Sequence, residues 1–64
     1  MKIDENKMNL ALARKCWNQR RLREYAVISS QTLRNIKAGK EVLPETAGTI
    51  ARALGVDITE LLET

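Results

Sequence analysis

The sequence predicts an all-α bundle of five short helices, and three observations carry that expectation. Apolar residues recur at i, i+3, i+4 and i+7, as in Ala47, Ile50, Ala51 and Leu54, rather than in alternation. Four polar residues stand where such stretches begin: Asp4, Asn18, Ser29 and Asp57, all side chains that accept from the free N–H groups of a first helical turn. Each is flanked by apolar residues at the spacing of a hydrophobic staple. The pairs are Ile3 and Met8, Trp17 and Leu22, Ile28 and Leu33, and Val56 and Leu61. No stretch reads as a strand, although MKID at residues 1–4 is short enough to hide one.

In order, Asp4 opens a helix over residues 5–16 that faces inward through Met8, Ala11 and Leu12. Asn18 opens a second over 19–26, with Leu22 and Ala26 inward. Ser29 opens a third over 30–38, closed by Gly39 at the position where helices often turn left-handed. A fourth follows Pro44 over 46–54 and ends at Gly55; it lacks a clean cap, because Glu45 is a poor one. Asp57 opens a fifth over 58–63, and Glu60 completes a capping-box pattern.

Length and composition narrow the function. Sixty-four residues predict one domain, 1–64. A chain of this size buries only about 60% of its unfolded surface, which leaves little for a deep catalytic pocket. There is no histidine and one cysteine, which excludes a metal cluster, a Cys–His pair and a disulfide framework within the chain. No apolar run suits a signal peptide or a membrane span. The expectation is a cytoplasmic, non-enzymatic protein with no cofactor, no metal, no membrane and no evident small-molecule ligand. Cys16 reads as an inert thiol, and Trp17 and Tyr25 as core and rim rather than base-stacking platforms. AGK at 38–40 lacks the earlier glycine of a phosphate-binding loop, and Glu41 replaces its Ser or Thr.

Charge is divided sharply along the chain. Residues 7–40 hold nine bases and the single acid Glu24, a net +8. Residues 41–64 hold Arg52 against five acids, a net −4, and residues 1–6 contribute −1, which gives the overall +3. A basic half joined to an acidic half predicts a polyanion on one side.

The second and third helices have a specific relation. Only Val27, Ile28 and the cap Ser29 separate Ala26 from Ser30, so the axes must turn sharply, the layout of a helix-turn-helix. Leu33 and Ile36 mark the buried side of the third helix. At roughly 100° per residue, Gln31, Arg34, Asn35 and Ala38 fall opposite, with Ser30 at the edge. Gln and Asn pair with adenine and Arg with guanine in the major groove. The run RRLR at 20–23, with Asn18 and Gln19 beside it, suits phosphate.

From about Met8 to Leu62 the chain resembles the Cro/phage-repressor type of helix-turn-helix domain, the XRE family. The matching stretches are NQRRL, ISSQTLRNIKAGK and LPETAGTIARALGVDITELL, of which the last is the most specific. The resemblance implies a five-helix, lambda-repressor-like bundle with its helix-turn-helix at helices two and three. It implies a transcriptional regulator, of repressor type and from a prophage or mobile element, that binds double-stranded DNA in a bacterial or phage setting at the nucleoid. Residue by residue, it implies that Ser30 and Gln31 contact bases, with Arg34 and Asn35 one turn further on, and that Gln19, Lys37 and Lys40 contact phosphate; the basic run adds Asn18 and Arg20 to the phosphate set. The chain departs from the family in two places. Arg23 stands in the middle of helix two where the family often has Ala, and is expected to extend along the surface. Val27 stands in the turn where Gly is frequent. A β-branched residue tolerates positive φ badly, so a different turn conformation is expected there.

The alternative reading is a protein-interaction module of the same fold, an antitoxin-like partner without its own operator. The DNA reading admits either a complete regulator or the DNA-binding part of a longer one. Ile58, Leu61 and Leu62 exceed what one short helix need bury, which predicts a weak homodimer through the C-terminal helix.

Overall fold

Each of the four expected cap side chains accepts from the turn that it opens. Asp4 takes the N–H of Lys7 at 3.1 Å, Asn18 that of Arg21 at 2.8 Å, Ser29 that of Thr32 at 3.2 Å and Asp57 that of Thr59 at 2.9 Å. The structure, a computed structural model, describes residues 1–63. Its helices are α1 (Glu5–Lys15), α2 (Gln19–Ala26), α3 (Ser30–Lys37) and α4 (Pro44–Leu54), followed by a single 3₁₀ turn, Ile58–Glu60. α4 begins at Pro44 rather than at residue 46. Leu43 is its N-cap and supplies no side-chain acceptor, while proline at the first position removes one N–H that would need a partner.

The predicted fifth helix over 58–63 does not form, so the expected five-helix bundle is four α-helices closed by a turn. Six residues are too few for a helix to sustain itself, and the ends of the chain offer a competing arrangement. The N–H of Asp4 donates to the Leu61 carbonyl at 2.7 Å, and that of Glu63 to the Lys2 carbonyl at 3.1 Å. Ile3 and Leu62 form an isolated antiparallel bridge. Lys7 Nζ donates to the Leu62 carbonyl at 2.9 Å. Leu61 is fully buried, Ile58 packs against the core, and Leu62 is half-buried. Leu61 and Ile58 thus belong to the core of their own chain, while Leu62 borders a surface depression with Met1, Lys2 and Glu63.

The core centres on α4, which packs on α1, α2 and the C-terminal turn. Ala47, Ile50, Ala51 and Leu54 are buried as their spacing predicts, and Ala53 joins them. Ile3, Met8, Leu12 and Leu22 complete the interior from the other side. α3 ends one residue early, with Ala38 as its C-cap. Gly39 then takes φ +74°, its N–H donating to Ile36 and that of Lys40 to Asn35. This closes the orphan carbonyls of the last turn.

Val27 does adopt the left-handed conformation, at φ +55° and ψ +48°, contrary to the expectation for a β-branched residue. The constraint is the short connection: α2 must stop and Ser29 must cap α3 within three residues. Ile28 meanwhile donates to the Arg23 carbonyl at 3.2 Å and packs on the core. The Val27 side chain is 87% exposed, so no burial offsets the strain. A left-handed L-residue costs roughly 1–2 kcal/mol, and the entropy cost of glycine offsets part of any relief. Val27→Gly is therefore expected to raise unfolding stability by about 0.5–1 kcal/mol in urea denaturation; a loss of stability would contradict the strained turn.

The C-terminal turn depends on pH through Asp57. Its carboxyl is held below the ordinary aspartate value by the Thr59 N–H and then by the Thr59 hydroxyl, at 2.7 Å. With the folded value the lower one, this contribution is complete above the unfolded value and is lost as pH falls through the folded one. Acidification is expected to release the Thr59 amide to faster exchange, with the midpoint on the acid side of ordinary aspartate. Asp57→Asn should lack that step while keeping the cap.

Candidate nucleic-acid interface

α3 is fastened by Leu33 and Ile36, both buried, and the sharp turn at Val27 and Ile28 sets it across the end of α2. Its outer surface then carries Ser30, Gln31, Arg34 and Lys37, all exposed. The Gln31 amide donates to the Asn35 side-chain carbonyl at 3.0 Å, one helical turn on. That bond fixes the direction of the Gln31 head and leaves it a carbonyl oxygen and an N–H, the complement of an adenine edge. Asn35 is half-buried and keeps its own amide N–H groups.

Between α2 and α3 runs a cleft lined on its polar side by Gln19, Arg20, Arg23, Ser30, Arg34 and Lys37. Four cations face one groove without a carboxylate among its lining residues, a surface that concentrates anions. Arg23 does not simply extend along the surface: its Nη1 donates to Ser30 Oγ at 2.7 Å. The sequence places Arg23 in the phosphate-suited run RRLR but gives it no partner on α3. The signal available was a long cationic donor placed where α2 crosses α3.

The remaining expected site residues lie around this cleft rather than in it. Asn18 uses its side-chain carbonyl to cap α2, which leaves its NH₂ group as a donor. Gln19 also reaches the Asn9 side chain at 3.4 Å. Asn35 borders a second depression on the opposite flank of α3, with Thr32, Glu41 and Thr46. Lys40 stands exposed beyond Gly39. Trp17 packs on the core with its ring 5.1 Å from that of Tyr25, while Lys15 and Arg21 lie 4.9 and 5.7 Å from it. Those partners occupy the Trp17 ring. Among the described residues, no three His, Cys, Asp or Glu side chains gather as a metal set, and no helix is long and apolar enough to cross a membrane.

A short helix held by two apolar side chains, turned sharply from its predecessor and bordered by cations, defines a helix-turn-helix DNA-binding domain. The chain belongs to the Cro/C1-type HTH DNA-binding domain family, whose model matches residues 7–64. No curated protein and no solved structure gives a significant match.

Proposed function

We propose that residues 1–64 act as one sequence-specific double-stranded DNA-binding domain of a transcriptional regulator, a repressor of prophage or mobile-element type working in the cytoplasm. In this reading α3 enters the major groove. The observation that carries it is the outer face of α3, where Ser30, Gln31 and Arg34 stand exposed beside a cleft of four cations while Leu33 and Ile36 hold the helix from behind. Ser30, Gln31, Arg34 and Asn35 read bases. Asn18, Gln19, Arg20, Lys37 and Lys40 hold phosphates on either side. Membership of a DNA-binding family supports the same reading. Selection from a random duplex pool tests it. An enriched motif is expected, and no enrichment at low salt would transfer the chain to the class of protein-interaction modules.

A symmetric pair on a pseudo-palindrome completes the proposal. One short helix covers only a few base pairs, too few to single out a site among about 10⁶–10⁹ competitors. Two copies held a helical turn apart on one duplex supply the rest, even when their mutual contact is weak. The contact proposed for them is a weak one through the C-terminal segment, where Leu62 remains half-exposed beside Met1; Leu10 and Leu43, each 63% exposed, offer further apolar surface.

Three outcomes follow. Affinity for duplex should fall with salt at a log–log slope of roughly −0.9 per phosphate neutralised, and Arg20→Ala or Lys40→Ala should each make it shallower by about one unit without altering base preference. Gln31→Ala, Arg34→Ala and Asn35→Ala should each relax preference at particular base pairs, with a loss of about 1–3 kcal/mol of discrimination where a bidentate contact goes. Equal weakening on all sequences would reduce α3 to a phosphate clamp. Sedimentation with the selected duplex should show two chains bound; one chain per duplex on an asymmetric site would end the dimer.

A further inference from the structure

We propose that Arg23 is a specificity-setting residue: by donating to Ser30 it biases the Ser30 hydroxyl toward donation, so that the base pair read by Ser30 disfavours cytosine on the contacted strand. The inference rests on the DNA reading above and concerns one position within it.

A serine hydroxyl is ambivalent. It carries one donor and two acceptor lone pairs, and in the major groove it suits any base edge. Arginine is not ambivalent, because a guanidinium only donates. At 2.7 Å from Arg23 Nη1, Ser30 Oγ is therefore the acceptor, in a charge-assisted bond of the stronger kind. One lone pair is taken, and the adjoining positive charge disfavours a second donor. The guanidinium charge favours a hydroxyl proton directed away from Arg23. The neighbouring Ser29 is already engaged, its Oγ accepting from the Thr32 N–H and lying 3.0 Å from the Thr32 hydroxyl. Ser30 is exposed at the first position of α3. A proton directed away from Arg23 is thus offered at the end of the helix that meets the duplex.

Base chemistry converts this into a preference. Guanine offers N7 and O6, adenine N7 and thymine O4 as acceptors in the major groove, whereas cytosine offers the N4 amino donor. A Ser30 hydroxyl biased toward donation gains a bond with the first three and faces a donor on the fourth. The chain holds the interaction across the helix crossing, from the middle of α2 to the start of α3, so it also fixes where that hydroxyl stands. Arg23 touches no base in this scheme and acts through Ser30 as a positioning residue.

The test is pool selection with the wild-type chain, Arg23→Met, Arg23→Gln, Ser30→Ala and the Arg23→Met/Ser30→Ala double variant, each first checked for cooperative thermal unfolding. Arg23→Met keeps the aliphatic stem. Arg23→Gln, whose head accepts as well as donates, serves should the first fail to fold. The wild type is expected to disfavour cytosine at one base pair of each half-site by roughly three- to tenfold, the worth of one net hydrogen bond. Both Arg23 variants should admit it there and leave the rest of the motif intact. The double variant should be no broader than Ser30→Ala alone, as expected for two residues acting through one contact. An unchanged motif in Arg23→Met or Arg23→Gln, with uniformly lower affinity and a shallower salt slope, would make Arg23 a phosphate contact and overturn the proposal while sparing the DNA reading. An unchanged motif in Ser30→Ala overturns it as well. A wild-type pool without any motif overturns both.

Discussion

Leu33 and Ile36 are the two buried side chains of α3, and the interface exists only because they hold. An eight-residue helix has no independent stability in water, and fully burying two such side chains supplies roughly 1.5–3 kcal/mol each. That anchorage is passed inward in steps: α3 packs on α2, and α2 on α4, whose interior face is almost wholly Ala, Ile and Leu. Small side chains at Ala47, Ala51 and Ala53 let the neighbouring elements approach α4 closely. The polar outer face of α3 can then be given over to hydrogen-bonding groups, because none of its residues beyond those two is needed for the core.

The same arrangement explains where charge can be tolerated. Like charges gathered along the α2–α3 cleft repel one another in the isolated chain and favour any anion that enters. Among the described residues the ion pair present is Arg14 with Glu60 at 3.5 Å, exposed, lined up with α1 and the C-terminal turn, and worth little to stability. Asp57, Glu60 and Glu63 lie on or beside the C-terminal turn, while Arg20, Arg23, Arg34 and Lys37 border the α2–α3 cleft. Hydrogen bonds within the site do a different job from the charges. Gln31 with Asn35 and Arg23 with Ser30 orient heads that would otherwise rotate freely, so less conformational entropy remains to be lost on binding.

Much of this was legible in the sequence, and the failures have physical causes. The caps at Asp4, Asn18, Ser29 and Asp57 were readable because capping is local: a side chain meets a backbone N–H two or three residues on. The outward set on α3 was readable because helical period alone separates it from Leu33 and Ile36. The fifth helix was misread because its competitor, the pairing with residues 2–4, lies at the far end of the chain, where no local rule reaches. Val27 was misread because a local preference lost to a connection length. Arg23 was undervalued because its partner is seven residues away across a turn, and whether it meets Ser30 depends on how two helices cross.

The pairing of the chain ends has a consequence in time as well as in space. Met1 exchanges two hydrogen bonds with Val42, at 2.7 and 3.0 Å, while Asp4 and Lys2 bond Leu61 and Glu63. The hydrogen bonds within α1 to α3 are local, but helices of eight to eleven residues do not persist in water without the rest of the fold. Ile3, bridged to Leu62, has its partner only once residues 58–63 are in place. The closing contacts span nearly the whole chain, so their loop-closure entropy is met late and all at once. The basic half is thus tied to the core through contacts that residues 58–63 supply, so the outward face of α3 and the pairing of these distant segments become rigid together.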